Sequence, residues 1–132
     1  MRLADPSRLL KFAAVGASGV VVNMFFLWLF FRVVGIDYRI ASPIAVELSI
    51  LSNFLLNNAW TFRDTLRTSP LGTRIARFHI AAAGGFVINW VVLVSLVEFF
   101  DRMVELANLV GIAAAFIWNY AFNVKWTWRQ TE

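Results

Sequence analysis

Asn53-Phe-Leu-Leu-Asn57-Asn-Ala-Trp60-Thr61-Phe62-Arg63 and Asn119-Tyr-Ala-Phe-Asn123-Val-Lys-Trp126-Thr127-Trp128-Arg129 share one pattern, Asn-x3-Asn-x2-Trp-Thr-aromatic-Arg, 66 positions apart in a chain of 132. The same offset carries Phe12 onto Phe78, Ala17 onto Ala83, Gly19 onto Gly85, Val21 onto Val87, Asn23 onto Asn89, Leu27 onto Leu93 and Ala41 onto Ala107, without a gap. Self-similarity of this kind reads as one unit of about sixty-six residues written twice. Asparagines at i and i+4 share a helix face, and a Trp followed by Arg suits a membrane interface.

Composition points to lipid. Apolar residues make up 60% of the chain and charged residues 15%, a balance that a small soluble domain cannot hide because most of its chain lies near its surface. There is no cysteine and one histidine, so a disulfide framework and a thiolate metal site are excluded and no metal or cofactor is expected. The net charge of +4 is not gathered on a soluble basic face, and no nucleic-acid partner is expected. The N-terminus shows no apolar core followed by a small-residue cleavage site, so the first apolar stretch is read as a retained helix.

Four apolar segments emerge, at about 10–34, 40–62, 75–100 and 106–126. Each is long enough to cross a hydrocarbon core of about 30 Å, and backbone groups in lipid must pair within the segment, so all four are predicted to be helices. The short connections at Gly35-Ile-Asp37-Tyr-Arg39 and around Asp101 and Arg102 predict two helical hairpins, joined by a linker at 64–74 containing Pro70 and Gly72. The expected fold is therefore an all-α membrane protein with two parallel-oriented hairpin repeats, about 1–66 and 67–132. Nine Lys and Arg residues fall at the termini and linker: Arg2, Arg8, Lys11, Arg63, Arg67, Arg74, Arg77, Lys125 and Arg129. Three, Arg32, Arg39 and Arg102, fall at the hairpin loops. The inside rule then sets both termini in the cytoplasm. Small-residue patches around Gly16 and Gly19, and Gly84 and Gly85, permit close helix approach.

Glu47 is the most informative single residue, because an ionised side chain at depth costs about 2.5–3.5 kcal/mol or more and faces protein or a polar cavity. Its repeat mate is Ala113, and Asn23 lies at similar depth, within reach of a hydrogen bond. Glu47 is either a structurally satisfied carboxylic acid or a group that handles substrate or protons. Asn53, Asn57, Asn119 and Asn123, with Asn23 and Asn89, either bind helices together or line a polar cavity. Trp90 and Trp118 are deep enough to pack or to stack on a sugar ring, whereas Trp60, Trp126 and Trp128 are assigned to the interfacial belt. Lys11, Arg63, Arg77, Lys125 and Arg129 ring the cytoplasmic end, either snorkelling to lipid heads or clamping a lipid phosphate. His79 sits beside them as an interfacial hydrogen-bonder or a proton relay. No catalytic residue is apparent: there is no phosphate-binding glycine loop, no Ser-His-Asp arrangement and no carboxylate pair, so the chain is expected not to be an enzyme.

The opening Lys11-Phe12…Gly16…Gly19…Asn23 and the closing Asn53-x3-Asn57-x2-Trp60-Thr61-Phe62-Arg63 resemble the GtrA-like family over nearly the whole chain. The second copy departs in one place, with Trp128 where the family often has Phe. The resemblance implies a flippase moving polyprenyl-phosphate-linked monosaccharides, such as undecaprenyl-phosphate glucose, across the cytoplasmic (inner) membrane for cell-surface polysaccharide glycosylation. Membrane lipids and a polyprenyl-phosphate glycosyltransferase are the implied partners, and four short helices enclose so little volume that a homodimer is considered. Two rivals stand beside this: a non-transporting anchor for a glycosyltransferase, and a proton antiporter similar to the small-multidrug-resistance family. The latter family carries its carboxylate in the first helix, whereas Glu47 lies in the second.

Overall fold

The computed structural model describes residues 5–65, 69–100 and 104–129. Arg2, Arg67, Asp101 and Arg102, used above for charge placement and for the second hairpin connection, lie outside the described residues. Among those described, the secondary structure is entirely helical: α1 (Pro6–Trp28), α2 (Tyr38–Leu56), α3 (Leu71–Phe100) and α4 (Val104–Phe122). With their terminal turns, the four helices are long and apolar enough to cross a membrane. The chain divides into two compact units, 2–66 and 67–132, each a hairpin of two helices.

In hairpin one, the start of α1 is set by Asp5, whose carboxylate accepts from the N–H groups of Ser7 and Arg8, with Pro6 preset for the first helical position. The helix begins several residues before the apolar segment because of this polar cap. It runs into a π turn at Leu29–Val33 and is closed by Gly35, whose φ of 85° lets the Ile36 N–H reach back to the Phe30 carbonyl at 2.8 Å. Asp37 caps α2 through the Arg39 N–H at 2.8 Å.

The seam between α1 and α2 is made of small groups. Ala41 and Ala45 are wholly buried, and the Ser49 hydroxyl donates to the Gly19 carbonyl at 2.7 Å. A Cβ on Gly19 would collide with the Asn53 amide. In hairpin two, Ala81 and Ala107 are wholly buried, a Cβ on Gly85 would meet the Asn119 amide at 2.7 Å, and one on Gly111 would meet the Asn89 amide at 2.7 Å. Lipid tails are as apolar as leucine, so close backbone approach and polar contacts must hold such seams together. Gly19, Gly84 and Gly85 are thus occupied within their own hairpins.

Each hairpin finishes with a π turn, at Asn57–Thr61 and Asn123–Thr127. The N–H groups of Phe62 and Trp128 bond back five residues, to the Asn57 and Asn123 carbonyls, at 2.8 and 2.9 Å. The extra residue in the turn rotates position 62 or 128 inward. Phe62 and Trp128 are both wholly buried, packed edge-on against Phe12 and Phe78 with ring centroids 6.2 and 5.7 Å apart. Trp128 is therefore a core residue, which corrects its assignment to the interfacial belt.

Candidate functional site

The open end of each hairpin, opposite its loop, gathers cations, aromatic rings and buried hydroxyls. In hairpin one, Thr61 donates to the Asn57 side-chain oxygen at 2.8 Å. In hairpin two, Thr127 donates to that of Asn123 at 2.6 Å, and the Asn123 amide donates to the Asn119 carbonyl at 2.7 Å. All four of these side chains are buried. Asn57 and Asn123 accordingly serve the terminal turns. Asn53 and Asn119 press against Gly19 and Gly85, and each keeps a buried side-chain oxygen with no hydrogen-bond partner. These two amides therefore supply packing at the seam.

Over these turns lie the basic residues. The Lys11 ammonium sits 5.6 Å from the Trp60 ring centroid, and at the matched position the Arg77 guanidinium sits 5.2 Å from the Trp126 ring. Arg77 also donates to the Trp126 carbonyl at 3.0 Å. The indole faces attract and orient the cations. Arg63, Lys125 and Arg129 are exposed at the same ends. His79 places Nδ1 2.9 Å from the Ile75 carbonyl, a bond to its own helix backbone.

Arg8 and Asp64 were not singled out by sequence reasoning, since 56 residues separate them and nothing local announces their meeting. Arg8 grips Asp64 with both terminal guanidinium nitrogens, Nη1 and Nη2, at 3.1 and 2.8 Å, and Nη1 also donates to the Thr61 carbonyl at 2.9 Å. It also stacks 5.2 Å above the Phe62 ring. The hydrogen bonds from Arg8 hold the Asp64 carboxyl below its usual range, with partial burial opposing and the charge of Arg8 adding to the effect.

The deeper polar residues are distributed differently. Ala45 and Ser49 face α1, so Glu47, midway between them, lies on the opposite side of α2 and is exposed on its hairpin. Asn23, one turn beyond Gly19, lies half-buried on the seam side of α1. Asn89 packs on Gly111 and approaches Asn108 at 3.5 Å. Trp118 donates its indole N–H to the Ala81 carbonyl at 3.1 Å and lies against Gly84, whereas Trp90 is exposed.

Residues 11–128 match the family described as GtrA/DPMS, transmembrane domain. The chain is also similar to the dolichol-phosphate mannosyltransferase of Pyrococcus furiosus, with 46% identity over 121 residues, 92% of this chain and 34% of the relative. The chain thus spans about a third of the length of that curated relative. This match corrects the expectation that the chain is not an enzyme, because a protein similar to nearly all of it bears an enzyme's name. The expectation rested on missing catalytic motifs. Membrane helices carry few such motifs in either case, so their absence discriminates poorly.

Proposed function

Because the chain belongs to the GtrA/DPMS transmembrane family, we propose that it is a translocase for a polyprenyl-phosphate-linked monosaccharide in the cytoplasmic membrane, working on the same lipid-borne sugar as a glycosyl-transfer reaction. Family membership sets aside the small-multidrug-resistance-like alternative. A relative named for dolichol phosphate and mannosyl transfer makes a polyprenyl-phosphate sugar the natural cargo, here serving cell-surface glycosylation. Undecaprenyl phosphate is one such lipid.

The observation that carries the reading is the open end of the hairpins, where Lys11 and Arg77 lie over Trp60 and Trp126 on helices of membrane-spanning length. A cation oriented at an aromatic face at the end of a membrane-spanning helix suits a lipid phosphate, which one prenyl chain presents at the interface. In this reading both termini are cytoplasmic, as the lysine and arginine placement indicates. Glu47 offers hydrogen bonds to the sugar hydroxyls while the prenyl tail stays in lipid, and a homodimer supplies the enclosed volume that four helices lack.

A second reading, a membrane anchor that recruits a glycosyltransferase, is favoured by the match to part of a mannosyltransferase. Proteoliposomes separate the two. The translocase moves a polyprenyl-phosphate sugar between leaflets on its own, whereas the anchor moves none yet retains a partner enzyme on purification.

A further inference from the structure

The offset of 66 residues makes the two open ends comparable position by position, and three of their differences all add positive charge to hairpin two. Ala59 corresponds to Lys125, Asp64 to Gln130 and Asp5 to Leu71. These three gain one cation and lose two carboxylates, and after the exchanges Met1 to Arg67, Arg2 to Thr68 and Leu66 to Glu132 the second repeat end is still the more positive by two charges, with five cations and one carboxylate against four and two. The structure gives these substitutions physical weight. In hairpin one, Asp64 is locked onto Arg8 through two hydrogen bonds, and Asp5, besides capping α1, lies 3.8 Å from the Arg8 side chain. That end neutralises much of its own charge. In hairpin two, Lys125 and Arg129 are exposed and flank Trp126 within four residues, and Trp126 orients Arg77 by its ring and its carbonyl.

Resting on the phosphate reading above, we infer that the repeats have divided the work: the open end of hairpin two, with Arg77, Lys125 and Arg129 around Trp126, is the phosphate-receiving site, and the matched end of hairpin one is a self-neutralised structural counterpart. The ligand class is a phosphate ester borne by a lipid, or phosphate itself. Two guanidinium groups and an ammonium can each donate to its oxygens. Coulomb attraction favours the end with fewer carboxylates, since a facing carboxylate repels an anion.

The test is titration of farnesyl phosphate into the purified full chain in phosphatidylcholine nanodiscs, with affinity and stoichiometry read by calorimetry. The unaltered protein is expected to bind one ligand per chain. Arg129→Ala weakens binding about tenfold, as loss of one charge-assisted contact does, and Lys125→Ala also weakens it. Arg63→Ala, at the position matched to Arg129, weakens it by a clearly smaller factor. The double variant Ala59→Lys with Asp64→Gln removes two of the three charge differences from hairpin one and raises the stoichiometry toward two. Inorganic phosphate that competes at similar concentration supports a site for the phosphate group at large; failure to compete supports one for the lipid-borne head. Equal losses from Arg63→Ala and Arg129→Ala, or an unchanged stoichiometry in a double variant that keeps its helical content, overturn the division of work alone. No binding by the unaltered protein overturns it together with the phosphate reading.

Discussion

Gly19 and Gly85 show how much one hydrogen atom decides in this chain. A Cβ at Gly85 would lie 2.7 Å from the Asn119 amide, whereas one at Gly16 would meet nothing within 4 Å. Gly85→Val is therefore expected to destabilise hairpin two by about 1–3 kcal/mol, and Gly16→Ala to be tolerated. Thermal unfolding in detergent checks both, and equal behaviour of the two variants would contradict the seam described here. Asp64 offers a second test at this scale. Its folded carboxyl titrates below the ordinary value of 3.8, so the stabilisation from Arg8 is present above that value and lost as pH falls through the lower folded value. Asp64 is largely exposed, with 55% of its side chain accessible, and water screens the pair, so the effect is small. Hydrogen exchange at the start of α1 should rise below about pH 4 in the unaltered protein. In Asp64→Asn it should already be raised at neutral pH and change little with acid.

At the scale of elements, the two π turns decide what the hairpin ends present. Each is tied by a threonine hydroxyl bonded to a buried asparagine four residues earlier. Thr127→Val keeps the shape and removes the donor, with an expected cost of about 1–3 kcal/mol from the stranded Asn123 oxygen. Thr127→Ser retains the bond and most of the stability. Chemical or thermal unfolding compares them, and indistinguishable stabilities would show that the turn does not depend on this bond. The four spans were legible in the sequence because lipid demands about twenty apolar residues whatever they pack against. The wide turns were not, because an i→i+5 bond depends on what the side chains bury, and the helical spacing of residues 57–61 is ordinary. Trp128 illustrates the point: its sequence neighbours suggested the interface, and one extra residue in the turn sends it to the core. Lys11, Arg77, Trp60 and Trp126 were legible as an interfacial set, but their pairing ring by ring was not. The Arg8–Asp64 grip was invisible for the same reason, being a contact between helix ends distant in sequence.

At the scale of the molecule, the chain is a multi-pass membrane protein of the GtrA/DPMS family whose two hairpins repeat the same end structure with different charge. The proposed transport rests on that end structure holding a phosphate while the sugar passes the apolar interior. Glu47 is the group whose role transport would expose most sharply, since it is exposed on its hairpin, on the side of α2 opposite the seam. The most direct measurement is leaflet transfer of a polyprenyl-phosphate sugar in proteoliposomes reconstituted with the purified chain. The account predicts transfer faster than in protein-free vesicles and slowed by both Glu47→Gln and Arg129→Ala. Transfer no faster than in empty vesicles, from protein that still binds the lipid, would contradict it.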